Sequence, residues 1–469
     1  PTVPVPSRFH DAAEELLKRP NSALYEGFRR CRALLVVLVP RRNTLLPENL
    51  RKASIWVLIT ATWYNMTRSW PSRYGAGMSN NYEVVIAGGG VMGCAVAYFL
   101  AADPGFVGRI LVLERDPTYE FASTTLSWGG IRQQFSTPEN IRMAAFNIPF
   151  LKSAHETLAV AGEGPALSLR EQGYLFLASA RGEASLRDVH AIQKSEGATV
   201  EMLDPGQLAS RFPWLNLDGI AAGSFGYENE GWLDPYALLQ GFRSKARSLG
   251  VEFRIAEVAA LERQGKAVVG VSLTDGETIA AGWVVNAAGW RAGALAATAD
   301  IQLPVEARKR MTYVFDCRED LSSMPLTIDP TGVGTRPEGQ QHMGLVSPPE
   351  AEDGPGTDFE LEYDLFENVI WPTLANRIPA FEAIKLSRAW AGMYDYNTFD
   401  QNAILGPHPE IDRILFCNGF SGHGIQQSPA AGRAVAEWLI HGTSRSLDLS
   451  AFGYERIAEN RPIYEAAVV

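Results

Sequence analysis

Tyr82-Glu-Val-Val-Ile-Ala87 is followed directly by Gly88-Gly89-Gly90-Val-Met-Gly93, and the rest of the chain is best interpreted from this junction. The first string is short, apolar and rich in β-branched residues, which is typical of a buried parallel strand. Cys94-Ala-Val-Ala-Tyr-Phe-Leu-Ala101 has helical composition, and Arg109-Ile-Leu-Val-Leu113 is a second apolar strand. The order strand, glycine-rich turn, helix and strand predicts a βαβ unit.

The glycines of the G-x-G-x-x-G pattern have separate physical roles in such a unit. Gly88 permits the tight turn, Gly90 lets the backbone approach a pyrophosphate, and Gly93 lets the helix pack close to the strand. The phosphates would lie at the helix N-terminus, beside Val91 and Met92. Unpaired N–H groups and the helix dipole favour negative charge there.

An acidic residue ends the second strand. Glu114 stands twenty-one residues after Gly93, where an acid accepts hydrogen bonds from the ribose of a dinucleotide. We include Arg115, which follows it, among the expected cofactor contacts. This context favours a dinucleotide site over a glycine-rich turn without a ligand, which is the alternative. The motif by itself does not choose between FAD and NAD.

The composition limits the classes of partner. The 469 residues are enough for two or three domains. The net charge of −11 argues against nucleic acid, because phosphate binding needs a concentrated basic surface. Cys31, Cys94, Cys317 and Cys417 are far apart in the sequence. This spacing predicts free thiols in a reducing compartment. The sequence has no cluster of metal-ligating residue types, so it predicts no metal site.

The first 77 residues differ in charge from the rest, with twelve Lys and Arg against five Asp and Glu. Their apolar runs are too short to span a bilayer, so we expect no transmembrane segment. Met78 stands just before the first strand, and we expect it to be the natural start, with residues 1–77 as an extension without a catalytic role. A basic targeting segment, or an arm that binds a membrane surface or a partner, is the alternative. The first interpretation predicts a cytoplasmic protein, and a targeting segment would predict the mitochondrial matrix.

The later chain alternates between the two kinds of secondary structure. Thr137 predicts the start of a helix to about Ala159, Asp275-Gly276 predicts a hairpin, and short β segments run from Arg310 to Val346. We expect the nucleotide sheet to be built from three segments, residues 78–160, 225–300 and 385–469. A second, antiparallel sheet would be inserted as residues 161–224 and 301–384.

Four long strings resemble the FAD-dependent oxidoreductases of the D-amino-acid oxidase and sarcosine oxidase type, and most of all the FAD-dependent oxidoreductase domain-containing protein 1 group. They are Ser127-Trp-Gly-Gly-Ile-Arg-Gln-Gln-Phe-Ser-Thr-Pro-Glu-Asn140, Leu303-Pro-Val-Glu-Ala-Arg-Lys-Arg310, Trp390-Ala-Gly-Met-Tyr-Asp-Tyr-Asn-Thr-Phe-Asp-Gln-Asn402 and Gly419-Phe-Ser-Gly-His-Gly424. The resemblance implies an α/β fold with a Rossmann-like FAD-binding domain of the glutathione-reductase type and an inserted antiparallel-sheet substrate domain. It also implies FAD as the cofactor.

The resemblance implies further cofactor contacts at defined positions. Some would lie near the pyrophosphate, the adenine and the cofactor channel, namely Ser123, Thr124, Val258, Ala288 and Gly289. Others would surround the pyrimidine edge of the flavin, namely Gly419, Gly422, His423 and Gly424. A helix that begins near Gly424 would direct N–H groups at the negative charge of a reduced flavin. A structural role is the alternative for His423.

Departures from the family pattern refine these expectations. Relatives with covalent flavin have a cysteine where this chain has Gly392, or a histidine near Trp128, so we expect noncovalent FAD. Gln426 stands where sarcosine oxidases have a lysine that holds the substrate carboxylate. Arg132 is therefore the best cationic candidate. Tyr394, Tyr313 and Lys309 are candidates to line the pocket, with packing or a surface position as the alternative.

The resemblance predicts an enzyme that oxidises the C–N bond of an amine or amino acid by hydride transfer to flavin N5. Arg132, Tyr394 and Gln426 are the expected catalytic residues. The electron acceptor, whether oxygen, a quinone or an electron-transfer protein, is left open. Two other hypotheses stand beside it, an FAD-containing assembly factor for a respiratory complex with little turnover, and an NAD-dependent dehydrogenase.

Overall fold

The computed structural model describes residues 81–349 and 351–465. The chain divides into two units, residues 1–77 and 78–469, and every described residue belongs to the second. The predicted extension and the predicted start at Met78 therefore lie outside the described residues. Within the described ranges, no helix combines the length and the hydropathy needed to cross a bilayer.

The strands, in chain order, are β1 (Asn81–Ala87), β2 (Ile110–Glu114), β3 (Gly130–Ile131), β4 (Tyr174–Ala178), β5 (Val200–Leu203), β6 (Ala222–Gly226), β7 (Gly231–Trp232), β8 (Glu252–Ile255), β9 (Val258–Gln264), β10 (Ala267–Leu273), β11 (Thr278–Asn286), β12 (Val305–Asp316), β13 (Leu326–Ile328), β14 (Gly334–Glu338), β15 (Gln341–Leu345), β16 (Lys385–Asn397), β17 (Ile404–Pro407) and β18 (Ile414–Asn418).

The α-helices are α1 (Val91–Ala102), α2 (Pro138–Lys152), α3 (Ala154–Thr157), α4 (Glu183–Ser195), α5 (Pro205–Arg211), α6 (Pro235–Ser248), α7 (Ala292–Ala297), α8 (Tyr363–Leu365), α9 (Trp371–Arg377), α10 (Gly424–His441) and α11 (Glu455–Ala458). A π-helical turn, Phe366–Ile370, joins α8 to α9. Short 3₁₀ helices are Gly289–Arg291, Pro379–Glu382 and Ser450–Phe452.

The first sheet has the order β17-β18-β11-β1-β2-β8, and the strands from β18 to β8 run parallel. This arrangement confirms the predicted βαβ unit. The hairpin predicted at Asp275-Gly276 joins β10 to β11, and β11 continues into the parallel part of the sheet. Strand β11 therefore connects the antiparallel hairpin that it forms with β10 to the parallel part of the sheet.

The second sheet has the order β16-β12-β15-β14-β13-β4-β6-β5. Neighbouring strands in this sheet are antiparallel, except that β13 and β4 run parallel. The predicted inserted antiparallel sheet is therefore confirmed, with one parallel pair. Strand β16 pairs with β12 along its whole length. It therefore belongs to the second sheet, although the predicted boundary had placed residues from 385 onward in the FAD-binding domain. The other domain boundaries remain predictions.

Two helices enclose α1 and position its N-terminus. Residues 91–100 of α1 are all buried, and α1 packs against α6 on one side and α10 on the other. The α10 contact is close, because a Cβ on Gly432 would lie 2.6 Å from the Cβ of Ala95. The helix predicted to run from Thr137 to about Ala159 instead ends at Lys152, since Ser153 leaves the helical conformation.

Candidate functional site

A cavity of about 400 Å³ lies where the carboxyl ends of β1, β2 and β11 meet the second sheet. It brings together most of the residues expected from the sequence: Gly88, Gly90, Val91, Met92, Glu114, Arg115, Ser123, Thr124, Arg132, Val258, Ala288, Gly289, Tyr394, Gly422, His423, Gly424 and Gln426. We call the end formed by Gly88, Gly90, Glu114 and Gly289 the glycine end. The end formed by Arg132, Tyr174, Arg310 and Tyr394 is the arginine end.

Two glycines of the motif allow backbone segments to approach closely. Gly88 has φ of +106°, and a Cβ there would lie 2.3 Å from the carbonyl oxygen of Ala287. A Cβ on Gly93 would lie 1.9 Å from the carbonyl oxygen of Gly88. Gly93 does not line the cavity, so its place is in the packing of α1 against the turn, as its predicted role requires.

The glycine end is open where a ligand backbone would pass. A Cβ on Gly90 would meet only the hydroxyl of Thr124, at 3.5 Å, and a Cβ on Gly289 would meet nothing within 4 Å. The backbone N–H of Val91 donates to Thr124 Oγ1 at 3.2 Å. The start of α1 therefore faces a groove that has room for a bound chain of atoms.

Glu114 is held in place by backbone donors. Its Oε2 accepts from the N–H of Gly89 at 2.8 Å, and its Oε1 accepts from the N–H of Asp116 at 2.9 Å. Each oxygen keeps a further lone pair for a ligand hydroxyl. The carboxylate is thus fixed at the end of β2 before any ligand binds.

Side chains that sequence reasoning did not identify complete this end of the cavity. Arg115 lies over the Trp290 ring at 5.4 Å, and its guanidinium is 3.8 Å from the Glu257 carboxylate. Trp290 and Glu257 both line the cavity. Trp290 directly follows Gly289, which the sequence analysis placed at the cofactor channel. This adjacency in the sequence could have identified Trp290 as a cavity residue.

Arg132 is the central side chain of the arginine end. It is buried, and its guanidinium carbon lies 4.6 Å from the centre of the Phe135 ring, 5.2 Å from Phe176 and 5.7 Å from Tyr174. The aromatic faces attract the cation and restrict its position. The charge is therefore held in a mostly apolar enclosure at the cavity wall.

His423 accepts a hydrogen bond from Arg132. The two atoms, Arg132 Nη2 and His423 Nε2, are 3.0 Å apart. Burial, reinforced by the Arg132 charge, lowers the pKa of His423 well below its ordinary value. The imidazole is accordingly neutral at physiological pH, and because a guanidinium only donates, its proton resides on Nδ1.

Gln426 holds the backbone of Arg132. Its Oε1 accepts from the Arg132 N–H at 2.8 Å, which fixes the orientation of the amide. Gln426 lies in the first turn of α10, which begins at Gly424 as the sequence predicted. Asn147 bridges the helix near the proline: it donates to the Gln426 carbonyl at 2.6 Å and accepts from the Ala430 N–H at 2.7 Å. The Asn147 side chain is thus inserted between the Gln426 carbonyl and the Ala430 N–H, next to Pro429, which has no N–H to donate.

Strand alternation decides which residues of β12 face the cavity. Arg310 and Thr312 line it, whereas Tyr313 and Lys309 lie on the other face. Tyr313 is buried against Phe366. Lys309 pairs near the surface with acidic side chains. The suggestion that Tyr313 and Lys309 line the pocket is therefore wrong, and their alternatives, packing and a surface position, hold.

Tyr394 lines the cavity, as expected, and Gly422 lies against it. A Cβ on Gly422 would be 3.1 Å from Tyr394 Cζ. Gly419 does not line the cavity: with φ of +74°, it turns the chain beside Asn397 and Val305. The expected contact between Gly419 and a cofactor is therefore not provided by this geometry.

Two acidic side chains near the arginine end were not found from the sequence. Glu230 is buried and accepts from the Gln133 N–H and from Gln134 Nε2, both at 2.7 Å. Burial raises the pKa of Glu230 to about 7. Asp395 faces the cavity and not bulk solvent, and this desolvation raises its pKa to about 6. Asp395 also accepts from the Phe420 N–H at 3.1 Å.

Comparison with known protein families supports the resemblance noted from the sequence. The family described as FAD dependent oxidoreductase (DAO) matches residues 83–438. FAD-dependent oxidoreductase domain-containing protein 1 of Bos taurus is 43% identical over 80% of this chain and 84% of its own length. Mitochondrial sarcosine dehydrogenase of Homo sapiens is 26% identical over 77% of this chain and 40% of its own.

Solved structures share the fold. L-proline dehydrogenase from P. horikoshii superposes with a TM-score of 0.73 at 25% identity, covering 82% of this chain and all of that one. Glycine oxidase from Geobacillus kaustophilus gives a TM-score of 0.69 at 23% identity, covering 80% and 98%.

Proposed function

The chain belongs to the DAO family of FAD-dependent oxidoreductases, and from this premise we propose that it oxidises the C–N bond of an amine or amino acid with noncovalently bound FAD. The observation that supports the proposal most is that one cavity has two chemically different ends. One end has the open turn and fixed acid that suit a dinucleotide, and the other has a buried arginine beside a helix N-terminus.

The glycine end fits the nucleotide part of FAD. The room beside Gly90 and Gly289 suits a pyrophosphate and ribityl chain, and the Glu114 lone pairs suit ribose hydroxyls. In this proposal Val91, Met92, Ser123 and Thr124 surround the pyrophosphate region. The other expected contacts keep their proposed roles: Arg115, Val258 and Ala288 near the nucleotide, and Gly422, His423 and Gly424 at the flavin.

The noncovalent linkage is proposed from the lining of the cavity. Among the described residues that line it there is no cysteine, and its single histidine, His423, is engaged with Arg132. Gly392, at the position of a linking cysteine in relatives, offers no nucleophile. Acid precipitation of the purified protein should release all of the yellow chromophore into the supernatant, and colour retained in the pellet would contradict this.

Bound FAD would supply the two-electron acceptor for the oxidation. The chain's own groups bind and orient the substrate. Arg132 can pair with a substrate carboxylate, and Gln426 fixes the backbone from which that side chain projects. The neutral His423 receives one Arg132 donor, which orients the guanidinium. The start of α10 at Gly424 directs N–H groups into the cavity, where they stabilise negative charge.

The test is anaerobic mixing of the purified flavoprotein with secondary amino acids, primary amino acids and amines that have no carboxylate. We expect loss of the long-wavelength flavin absorption with at least one amino acid, and slower or no loss with the matching amine. Loss with amines alone would contradict the role of Arg132. The same absorption, present before mixing, distinguishes this protein from an NAD-dependent dehydrogenase.

The assembly-factor hypothesis is an outcome of the same experiment. A flavin that stays oxidised against every substrate in the panel would favour a protein that keeps FAD for stability. The cytoplasmic location stays a prediction, which fractionation of cells that express the natural protein would test.

A further inference from the structure

A second arginine lines the arginine end of the cavity. Arg310 is buried, and its guanidinium carbon lies 4.6 Å from the centre of the Tyr394 ring. Thr312, two residues along β12, faces the same cavity because side chains two apart share one face of a strand. Arg310 therefore lies in the cavity wall beside Tyr394, which is expected to contact substrate.

The guanidinium of Arg310 is occupied by an internal carboxylate. Its Nη1 and Nη2 donate to the two oxygens of Asp353 at 2.6 and 2.7 Å. The side chains are only 9% and 11% exposed. The geometry is the bidentate pairing with which arginine recognises a carboxylate ligand.

Asp353 belongs to an irregular segment, residues 351–362, between β15 and α8. The segment has other attachments to β12: Arg308 donates to the Asp353 carbonyl, and the Gly356 N–H donates to the Ala307 carbonyl at 3.1 Å. Lys309 pairs with Asp358 at 2.8 Å. The backbone of Asp353 is thus anchored by contacts that do not involve its carboxylate.

The segment also contacts another part of the cavity wall. Phe359 packs edge-on against Phe121 with ring centres 5.0 Å apart, and Phe121 lines the cavity. The segment therefore connects the second sheet with the loop that follows β2. Its acidic side chain pairs with Arg310 through two hydrogen bonds, the pattern in which arginine also binds a ligand carboxylate.

A buried ion pair adds little net stability, because desolvation of the two charges offsets their attraction. Exchange of one carboxylate for another on the same guanidinium keeps the number of charge-assisted hydrogen bonds. We infer that Arg310 is a carboxylate-binding residue for substrate, and that Asp353 occupies it as an internal competitor which a substrate carboxylate displaces. This inference rests on the proposed function, since it assigns the substrate class to acids of the amino-acid type.

The test measures binding to the oxidised protein and needs no turnover. Propionate is titrated into the wild-type flavoprotein and into Asp353→Asn and Arg310→Gln, with changes in flavin absorption and in the thermal unfolding midpoint as readouts. Propionamide is the uncharged control ligand. We expect propionate to bind on the order of tenfold tighter to Asp353→Asn and on the order of tenfold weaker to Arg310→Gln. Propionamide should bind all three proteins alike.

Lys309→Gln is the matched control, because it loosens the same segment from the other face of β12. We expect it to leave propionate binding unchanged. The inference is overturned if Lys309→Gln reproduces the gain of Asp353→Asn, or if Asp353→Asn and Arg310→Gln weaken binding equally, since the pair would then only clasp the segment. Arg310→Lys, which keeps the charge, replaces Arg310→Gln if the latter does not fold. If propionate binding changes as expected but no amine or amino acid in the panel reduces the flavin, this inference is retained and the proposed function is refuted.

Discussion

The two ends of the cavity are built in different ways. At the glycine end, the turn, the helix start and Glu114 come from one stretch of about thirty residues, and strand pairing between β1 and β2 brings them together. At the arginine end, Arg132 meets Gln426 across 294 residues of sequence, and Gln133 meets Glu230 across 97. A local motif forms the first end together with Gly289, which follows β11, and contacts between residues far apart in the sequence form the second.

This difference predicts different responses to substitution. The backbone is in close contact at Gly88 of the glycine end and at neighbouring Gly93, so an added atom at either position has no room and should affect folding. Side chains that can be replaced at similar volume form the arginine end, so changes there should alter binding and pH dependence while the fold remains. Each of the following experiments can break or sharpen this contrast.

The largest expected effect is at Gly93, which packs against Gly88 of the glycine end. Gly93→Ala places a Cβ 1.9 Å from a backbone oxygen that cannot move without disturbing the turn. We expect a loss of more than about 3 kcal/mol in the free energy of unfolding and little bound flavin. Urea denaturation and the ratio of flavin to protein absorbance measure both. Gly182→Ala is the control, because its nearest neighbour would be at 3.7 Å; equal behaviour of the two variants would break the contrast.

A smaller effect on stability and a large effect on catalysis are expected at Arg132. Arg132→Met keeps an unbranched side chain among Phe135, Tyr174 and Phe176 but removes the charge. We expect kcat/KM for the best amino-acid substrate to fall on the order of 100-fold, with the fold intact.

Arg211→Met is the matched control for that experiment. Arg211 also stacks on an aromatic ring, Phe225 at 4.4 Å, but it does not line the cavity. It should leave kcat/KM unchanged. A similar loss in both variants would show that the effect at Arg132 comes from packing and not from its charge.

The pH dependence of stability should reveal Glu230. Its pKa of about 7 in the folded protein lies above the ordinary value of 4.5, so the folded state binds the proton more tightly. The stability that results is fully present below pH 4.5 and is lost as the pH rises through about 7. Glu230→Gln cannot titrate, so we expect its unfolding free energy to fall by about 3 kcal/mol less across this range.

Chemical denaturation at a series of pH values measures this slope. Glu228→Gln, on the exposed part of the same loop, is the control. Parallel curves for wild type and Glu230→Gln would show that Glu230 does not take up a proton on folding in this window.

The smallest effect is expected at Tyr394. Tyr394→Phe keeps the ring beneath the Arg310 guanidinium and removes only the hydroxyl. We expect kcat/KM to fall by roughly fivefold, as for the loss of one hydrogen bond. Steady-state kinetics measure it, with Tyr363→Phe, on a half-exposed residue, as the control. A hundredfold loss would instead assign a proton-transfer role to the hydroxyl.

Errors in the sequence interpretation of β12 have a physical cause. The sequence identified the residues of the Leu303 to Arg310 string as a family feature, but the side chains that face the cavity depend on the register of β12 against β16. A shift of one residue exchanges the faces of a strand. Lys309 and Tyr313 were therefore suggested for the pocket, where Arg310 and Thr312 lie.

The sequence by itself determined the βαβ unit, the dinucleotide motif with Glu114, the inserted second sheet and a set of site residues, most of which line the cavity. These features follow from local periodicity, from glycines that a turn requires, and from strings long enough to be specific. Only the tertiary structure decided the pairing of Arg310 with Asp353, the burial of Glu230 and the support of α10 by Asn147. Such contacts join residues far apart in the chain, and their existence depends on how two sheets pack, which no local pattern specifies.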